Sequence, residues 1–137
     1  MTTASEFHWP VRVYYEDTDA EGVVYYSNYL KFMERARTEW LRNCGFEQND
    51  LRDEHQLMFV VRSLQIDYLK PAQFNDMLDV SVILTRAGRA SLEIAQTVNR
   101  AEELLCTANV KIGSLHSETL KIAKMPLAVM ENIRASN

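Results

Sequence analysis

Between Ser27 and Asn43 the apolar residues Tyr29, Phe32, Met33, Ala36, Trp40 and Leu41 recur at spacings of three and four. That is the period of an α-helix with one wide apolar stripe. Lys31, Glu34, Arg35, Arg37, Thr38 and Arg42 lie mostly off it. Such a stripe has to be covered, and the chain has little other helical material to cover it. Ser27 or Asn28 is expected to cap the start, since a short polar side chain can accept from a free backbone N–H. Gly45 stands just past the end, where helices prefer a residue that tolerates the left-handed region. A second, shorter helix is predicted over Gln48–His55 and a third after Pro126.

Most of the remainder reads as strands. Val and Tyr enrichment predicts one over Pro10–Glu16, followed by a turn over 17–22 and a short β-prone piece, Val23–Tyr26. Met58–Tyr68 is long and mixed. Met77–Thr85 alternates through Val80, Val82 and Leu84, and Ala90–Asn99 through Leu92, Ile94 and Val98. Leu104–Gly113 places Cys106, Ala108, Val110 and Ile112 on one face. A period of two indicates strands with one covered face. The breaks at Ala87-Gly88 and Arg100–Glu103 suit hairpins, hence antiparallel pairing. A curved antiparallel sheet of about five strands wrapped round the long helix covers both surfaces at once. The expectation is therefore an α+β fold, with residues 1–137 forming one domain. Long strands also leave an edge, which a second subunit would satisfy.

With 137 residues, 47% hydrophobic and 25% charged, the chain is long enough for one real core and ordinary in mixture. A net charge of −4 argues against nonspecific nucleic-acid binding, which needs a basic face. Cys44 and Cys106 are far apart, and His8, His55 and His116 are scattered, so neither a disulfide framework nor a metal site is expected. No apolar run approaches a membrane span, and the first residues lack the pattern of a secretory signal. The expected location is the cytoplasm.

Glu16, Asp17, Asp19 and Glu21 put four carboxylates within six residues, between a strand and a helix. Alone, such a run reads as a solvated acidic loop. The next residues argue for chemistry. Gly22 to Tyr29 leads straight into the helix start, where unsatisfied N–H groups and a partial positive end are available. A carboxylate there could attack or activate water while the N–H groups hold a developing oxyanion, a pairing suited to acyl transfer.

The run VRVYYEDTDAEGVVYYSNYLKFMERARTEW, Val11–Trp40, resembles the signature of the 4-hydroxybenzoyl-CoA thioesterase family, and more narrowly its tol-pal-associated acyl-CoA thioesterase branch. The later QLMFVVRSLQIDYLKPAQFNDMLDV resembles that branch too. The resemblance implies the hotdog fold, in agreement with the helix-in-sheet picture. It implies hydrolysis of acyl-CoA, short-chain aliphatic or aromatic, with no cofactor and with CoA entering as part of the substrate. Asp19 matches the catalytic carboxylate, as nucleophile or general base. Tyr26 matches the position whose backbone N–H binds the carbonyl oxygen, with Asn28 and Tyr29 fixing the helix start on the substrate side. Arg89 and Ser91 match positions that contact the CoA nucleotide, and Arg86, Lys121 and Lys124 are weaker phosphate candidates. Asp17 is read as structural and Glu34 as a surface or paired residue; no role falls to the histidines. A homotetramer, a dimer of dimers, is expected.

Two departures matter. The branch commonly has His where this chain has Tyr26; an imidazole acid or base does not survive that exchange, whereas a backbone donor does. Glu21 replaces a usually small residue and adds negative charge near an anionic substrate. Three rival readings remain: a thioesterase acting on acyl carrier protein, a non-catalytic acyl-CoA-binding or scaffold module, and a hydratase. The retained Asp19 weighs against the second, and no Asp-His type pair is visible for the third.

Overall fold

The computed structural model describes residues 5–137. The elements are β1 (Phe7–Arg12), α1 (Tyr26–Asn43), α2 (Gln48–His55), β2 (Leu57–Tyr68), β3 (Met77–Ala87), β4 (Ser91–Arg100), β5 (Glu103–His116) and α3 (Leu127–Ala135). The strands form one antiparallel sheet in the order β1-β3-β4-β5-β2. β3, β4 and β5 follow one another as hairpins. β1 and β2 are the two edges.

The alternation in sequence becomes the inner face. Leu78, Val80 and Val82 of β3, Leu92, Ile94 and Val98 of β4, and Cys106, Ala108, Val110 and Ile112 of β5 are all buried. Phe32, Met33 and Ala36 of α1 are completely buried, with Tyr29, Trp40 and Leu41 nearly so. The helix stripe and the sheet's inner face thus form one core, the hotdog arrangement. α3 closes the open end: Trp40 Nε1 donates to Asn137 Oδ1 at 2.9 Å, and Arg134 Nη2 to the carbonyl of Ala87 at 2.9 Å.

One polar cluster crosses the core. Gln96 is buried on β4, and its Nε2 donates to the carbonyls of Met33 at 3.2 Å and Ser81 at 3.3 Å. Its Oε1 accepts from Arg37 Nη1 at 2.9 Å. Burial lowers the Arg37 guanidinium below the usual arginine value, opposed by Glu34. These bonds fix where along the sheet the middle of α1 sits, which apolar contacts alone would leave looser.

Two expectations at the N-terminal side are corrected. The first strand ends at Arg12, and Tyr15–Asp17 wind into a 3-10 turn instead of continuing it. Asp17 is the reason: its Oδ2 accepts from the N–H of Tyr14 at 2.8 Å and turns the chain. The residue flanking α1 is Tyr25, and neither Ser27 nor Asn28 caps the helix through its side chain. Asn28 lies inside the helix, its amide turned to another partner. At the far end Gly45 takes φ +98°, the left-handed stop expected there.

The edges differ. β1 is short and carries Pro10, a feature that blunts pairing. β2 has twelve residues, no proline, and Val61, Leu64 and Tyr68 exposed. A bulge at Arg62 interrupts its register with β5. Among the described residues no helix is long and apolar enough to cross a membrane.

Phe32→Ala should cost about 3–5 kcal/mol, because the sheet curls around that ring and cannot collapse into the space. A urea unfolding midpoint unchanged from the parent would show that α1 is not the wedge of the core.

Candidate active site

The acidic loop is a small folded unit. Thr18 bridges Val24, the N–H of Asp19 donates to the carbonyl of Val23 at 2.9 Å, and that of Gly22 donates back to the carbonyl of Asp19 at 3.1 Å. Gly22 sits at φ +79°, which only glycine adopts without strain. The unit is stitched to the β2–β3 connection. Val24 donates to the carbonyl of Ala72 at 2.9 Å, Phe74 to that of Gly22 at 3.1 Å, and Val23 bridges Gln73.

Within it the carboxylates diverge. Glu16 and Glu21 are exposed. Asp17 is buried, and its second oxygen accepts from Asn28 Nδ2 at 2.9 Å. The N–H of Tyr25 donates to the Asp17 carbonyl at 3.1 Å. Asp17 therefore locks the loop to the first turn of α1, the structural part read for it in the sequence. Asp19 is half-buried. Its Oδ1 accepts from the N–H of Glu21 at 2.8 Å and of Val23 at 3.3 Å. Its Oδ2 has no hydrogen-bond partner among the described residues. The donor at position 21 is main chain, so the exchange of a small residue for Glu21 leaves that support intact.

Just beyond, α1 begins. The N–H of Asn28 is satisfied by the carbonyl of Tyr25 at 2.9 Å, whereas those of Tyr26 and Ser27 find no acceptor among the described residues. The side chain of Tyr26 is 73% exposed. Tyr29 is buried, and its hydroxyl accepts from the N–H of Ala72 at 2.9 Å. Burial pushes that phenol above its usual pKa, so it stays protonated. The amide of Asn28 and the hydroxyl of Tyr29 both spend their polar ends on the protein, shaping the helix start. In front lies a pocket of about 250 Å³ lined by Val24, Tyr26, Tyr29, Tyr68, Leu69, Lys70 and Pro71. No cysteine competes as a nucleophile. Cys44 and Cys106 are buried, and burial raises both thiols, that of Cys106 to about 11.

The sequence pattern of the thioesterase superfamily matches residues 21–107. The chain belongs to that superfamily. As a member it is a thioester hydrolase. It is 42% identical over 130 residues to an acyl-CoA thioesterase YbgC of Haemophilus influenzae, covering 95% of this chain and 93% of that protein. It is 41% identical over 129 residues to the acyl-CoA thioester hydrolase YbgC of Escherichia coli O6:H1, covering 93% and 96%. Among solved structures, a probable thioesterase from Bartonella henselae superposes with a TM-score of 0.85 at 35% identity, covering 89% of this chain and all of that one.

The remaining sequence candidates of this thioesterase lie elsewhere. Arg89 and Ser91 flank the β3–β4 turn, whereas Asp19 is stitched to the other end of β3, near Gln73. Eleven strand residues separate those ends, roughly 33 Å at about 3.3 Å per residue. In one chain the two groups cannot touch one substrate carbonyl. Arg89, Arg86, Lys121 and Lys124 are exposed, and the carbonyl of Arg89 accepts from Met125 at 2.8 Å. Glu34 is also exposed. His8 bonds Asp79 and His116 bonds Gln56, with no contact to the acidic loop. One residue that the sequence did not single out does reach the site: Tyr68 at the end of β2, whose hydroxyl donates to the carbonyl of Tyr26 at 2.9 Å. It is 42 positions from Tyr26, and no local pattern announces the contact.

Asn28→Ala removes the donor to Asp17 Oδ1 and leaves a buried carboxylate short of a partner. It should cost about 1–3 kcal/mol and loosen the loop. Denaturant titration checks this; an unchanged stability would mean that Asp17 is not the anchor.

Proposed function

We propose that this thioesterase hydrolyses acyl-CoA to free acid and CoA, with Asp19 as its reactive carboxylate and the start of α1 as its oxyanion site. The observation that carries the reading is the free Asp19 Oδ2 on the short ladder leading into α1, with two N–H groups lacking acceptors just beyond it. The names of the Haemophilus and Escherichia relatives support acyl-CoA as the donor.

The chemistry builds on those groups. The thioester carbonyl accepts from the N–H of Tyr26, so charge developing on its oxygen meets a fixed donor and the positive end of α1. Asp19 Oδ2 attacks the carbonyl carbon, or takes a proton from the water that does. The C–S bond then breaks and CoA leaves as a thiolate; where Asp19 itself has attacked, water hydrolyses the acyl–Asp19 anhydride to the free acid, and in either route the proton released by water ends on the CoA sulfur. A thiolate is a good leaving group, so the Tyr26 phenol need not act as an acid and the absence of His there is tolerated. Asn28 and Tyr29 hold the helix start through their polar ends, and the Tyr29 ring also lines the pocket beside it. Neither step calls on a metal or redox cofactor, and CoA enters only as part of the substrate. Short aliphatic and aromatic acyl groups are the proposed range, in the cytoplasm. An acyl carrier protein is the second candidate donor, since it presents the same thioester on the same pantetheine arm.

The distance between Asp19 and Arg89 favours a site shared by two subunits. β2 is a long, proline-free edge whose Tyr68 end lies at the site. Its Leu57 end pairs with His116 of β5, at the end of the sheet where β4 begins with Ser91. Two β2 edges paired antiparallel about a two-fold axis bring the Asp19 end of one subunit to the Arg89 end of its partner. Arg89 and Ser91 then hold the CoA phosphates of the neighbouring site, and two such dimers make the proposed tetramer.

Thiol release from a panel of acyl-CoAs tests the reading. Asp19→Asn should lose at least about a hundredfold in kcat with an unchanged fold, the scale expected for a group acting in the transition state. Tyr26→Phe should stay near the parent rate. Full rates in Asp19→Asn would remove the carboxylate from the mechanism. The shared site has its own test. Asp19→Asn and Arg89→Ala subunits, unfolded together and refolded as a mixture, should regain activity at low substrate that neither parent shows, because each hybrid dimer holds one intact site. No recovery would confine each site to one chain.

A further inference from the structure

The Tyr68 hydroxyl has no part in the acyl transfer itself, yet it makes one directed bond at the site. It donates to the carbonyl of Tyr26 at 2.9 Å. That carbonyl and the N–H of Ser27 belong to the same peptide unit, and the Ser27 N–H is the second free donor at the helix start. Drawing electron density toward the carbonyl oxygen makes the N–H of the same amide a stronger donor. The ring is held to suit: it packs edge-on against Tyr26 at 6.3 Å and against Tyr29 at 5.3 Å. Tyr29 is in turn fastened to Ala72. The three tyrosines line one pocket of about 250 Å³ beside the helix start.

We infer that Tyr68 is a positioning residue for the hydrolysis. Its hydroxyl holds and polarises the Tyr26–Ser27 amide, so that the N–H of Ser27 joins that of Tyr26 in receiving the thioester oxygen. This rests on Asp19 and the helix start being the site of acyl transfer. Partial desolvation raises the Tyr68 phenol above its usual pKa, and a phenol is a proton donor at neutral pH in any case. The bond also gives edge strand β2 a direct hold on the helix start, whereas the loop reaches the helix through Asp17.

Tyr68→Phe keeps the ring and deletes only the donor. If polarisation contributes a tenth to a third of one oxyanion donor, kcat should fall about two- to fivefold. KM, the oligomeric state and the unfolding midpoint should stay as in the parent. A purely structural role would move the midpoint or KM instead. Site-specific 3-fluorotyrosine at position 68 supplies a more acidic phenol on nearly the same ring, and should hold kcat at or above the parent value. A Tyr68→Phe enzyme with the parent's kcat overturns the inference, as does a fluorotyrosine enzyme as slow as the Phe variant. Either result leaves the Asp19 reading standing provided that Asp19→Asn is inactive in the same assay. A parent that releases no thiol from any acyl-CoA overturns both.

Discussion

The structure depends on covering the apolar stripe of α1. Phe32, Met33 and Ala36 are fully buried, and neither α2, with eight residues, nor α3, with nine, is large enough to cover so long a helix. Only the sheet can, and it must curl to do so. A helix buried lengthwise in a curved sheet cannot bury its ends as well, because their unpaired N–H and C=O groups would lose water without gaining partners. The start of α1 therefore emerges at the rim, beside the β2–β3 connection. The exposed, polarised amides at the site arise from the same constraint that makes the core. Gln96, bonded to the Met33 carbonyl, sets how far along the sheet that start emerges.

The acidic loop shows how backbone, more than residue type, divides similar groups between tasks. Asp17 and Asp19 are two positions apart and chemically identical. Asp17 points inward, where burying a carboxylate is tolerable only because the N–H of Tyr14 and the amide of Asn28 both donate to it. Asp19 sits in a turn whose own N–H groups occupy one oxygen and leave the other free. The first carboxylate gives the loop its rigidity, and the second carries the proposed chemistry on that rigid frame. A reactive group fixed in place in this way need not be ordered anew when substrate arrives.

Much of this is legible in the residues. The period of α1, the alternation in β3 to β5 and the two hairpin breaks are strong local signals, because each is imposed by one continuous covered face. The Asp-Thr-Asp triplet marks the loop before the helix at which the chemistry is proposed. Less can be read where distant groups compete for the same segment. Val and Tyr between 10 and 16 suggest a longer first strand, but the Asp17 carboxylate claims the N–H of Tyr14 and ends it early. Ser27 and Asn28 look like caps, yet Asn28 is drawn to a partner eleven positions back. Tyr68 reaches Tyr26 only once the sheet has formed. Arg89 and Asp19 both match site positions in sequence, and nothing local tells that they stand at opposite ends of β3.

That separation carries the deepest constraint on how such a chain can work. CoA is long and anionic, and at the Asp19 end of one chain Lys70 is already paired with Glu103 and Arg100 with Asp76, so the proposed site draws its phosphate partners from other cations. Within the chain the exposed cations Arg86, Arg89, Lys121 and Lys124 gather at the other end of the sheet. Bending one chain to bring its own ends together would tear the ladder between β3 and β4. Pairing two copies through an open edge costs no internal hydrogen bond and satisfies a row of groups that would otherwise face water. The twelve-residue β2, with neither the proline of β1 nor its shortness, is the edge suited to that. Tyr68 stands at the end of the same strand with its hydroxyl on the helix start, so the strand that would carry subunit pairing is also bonded to the amide that would receive the thioester oxygen.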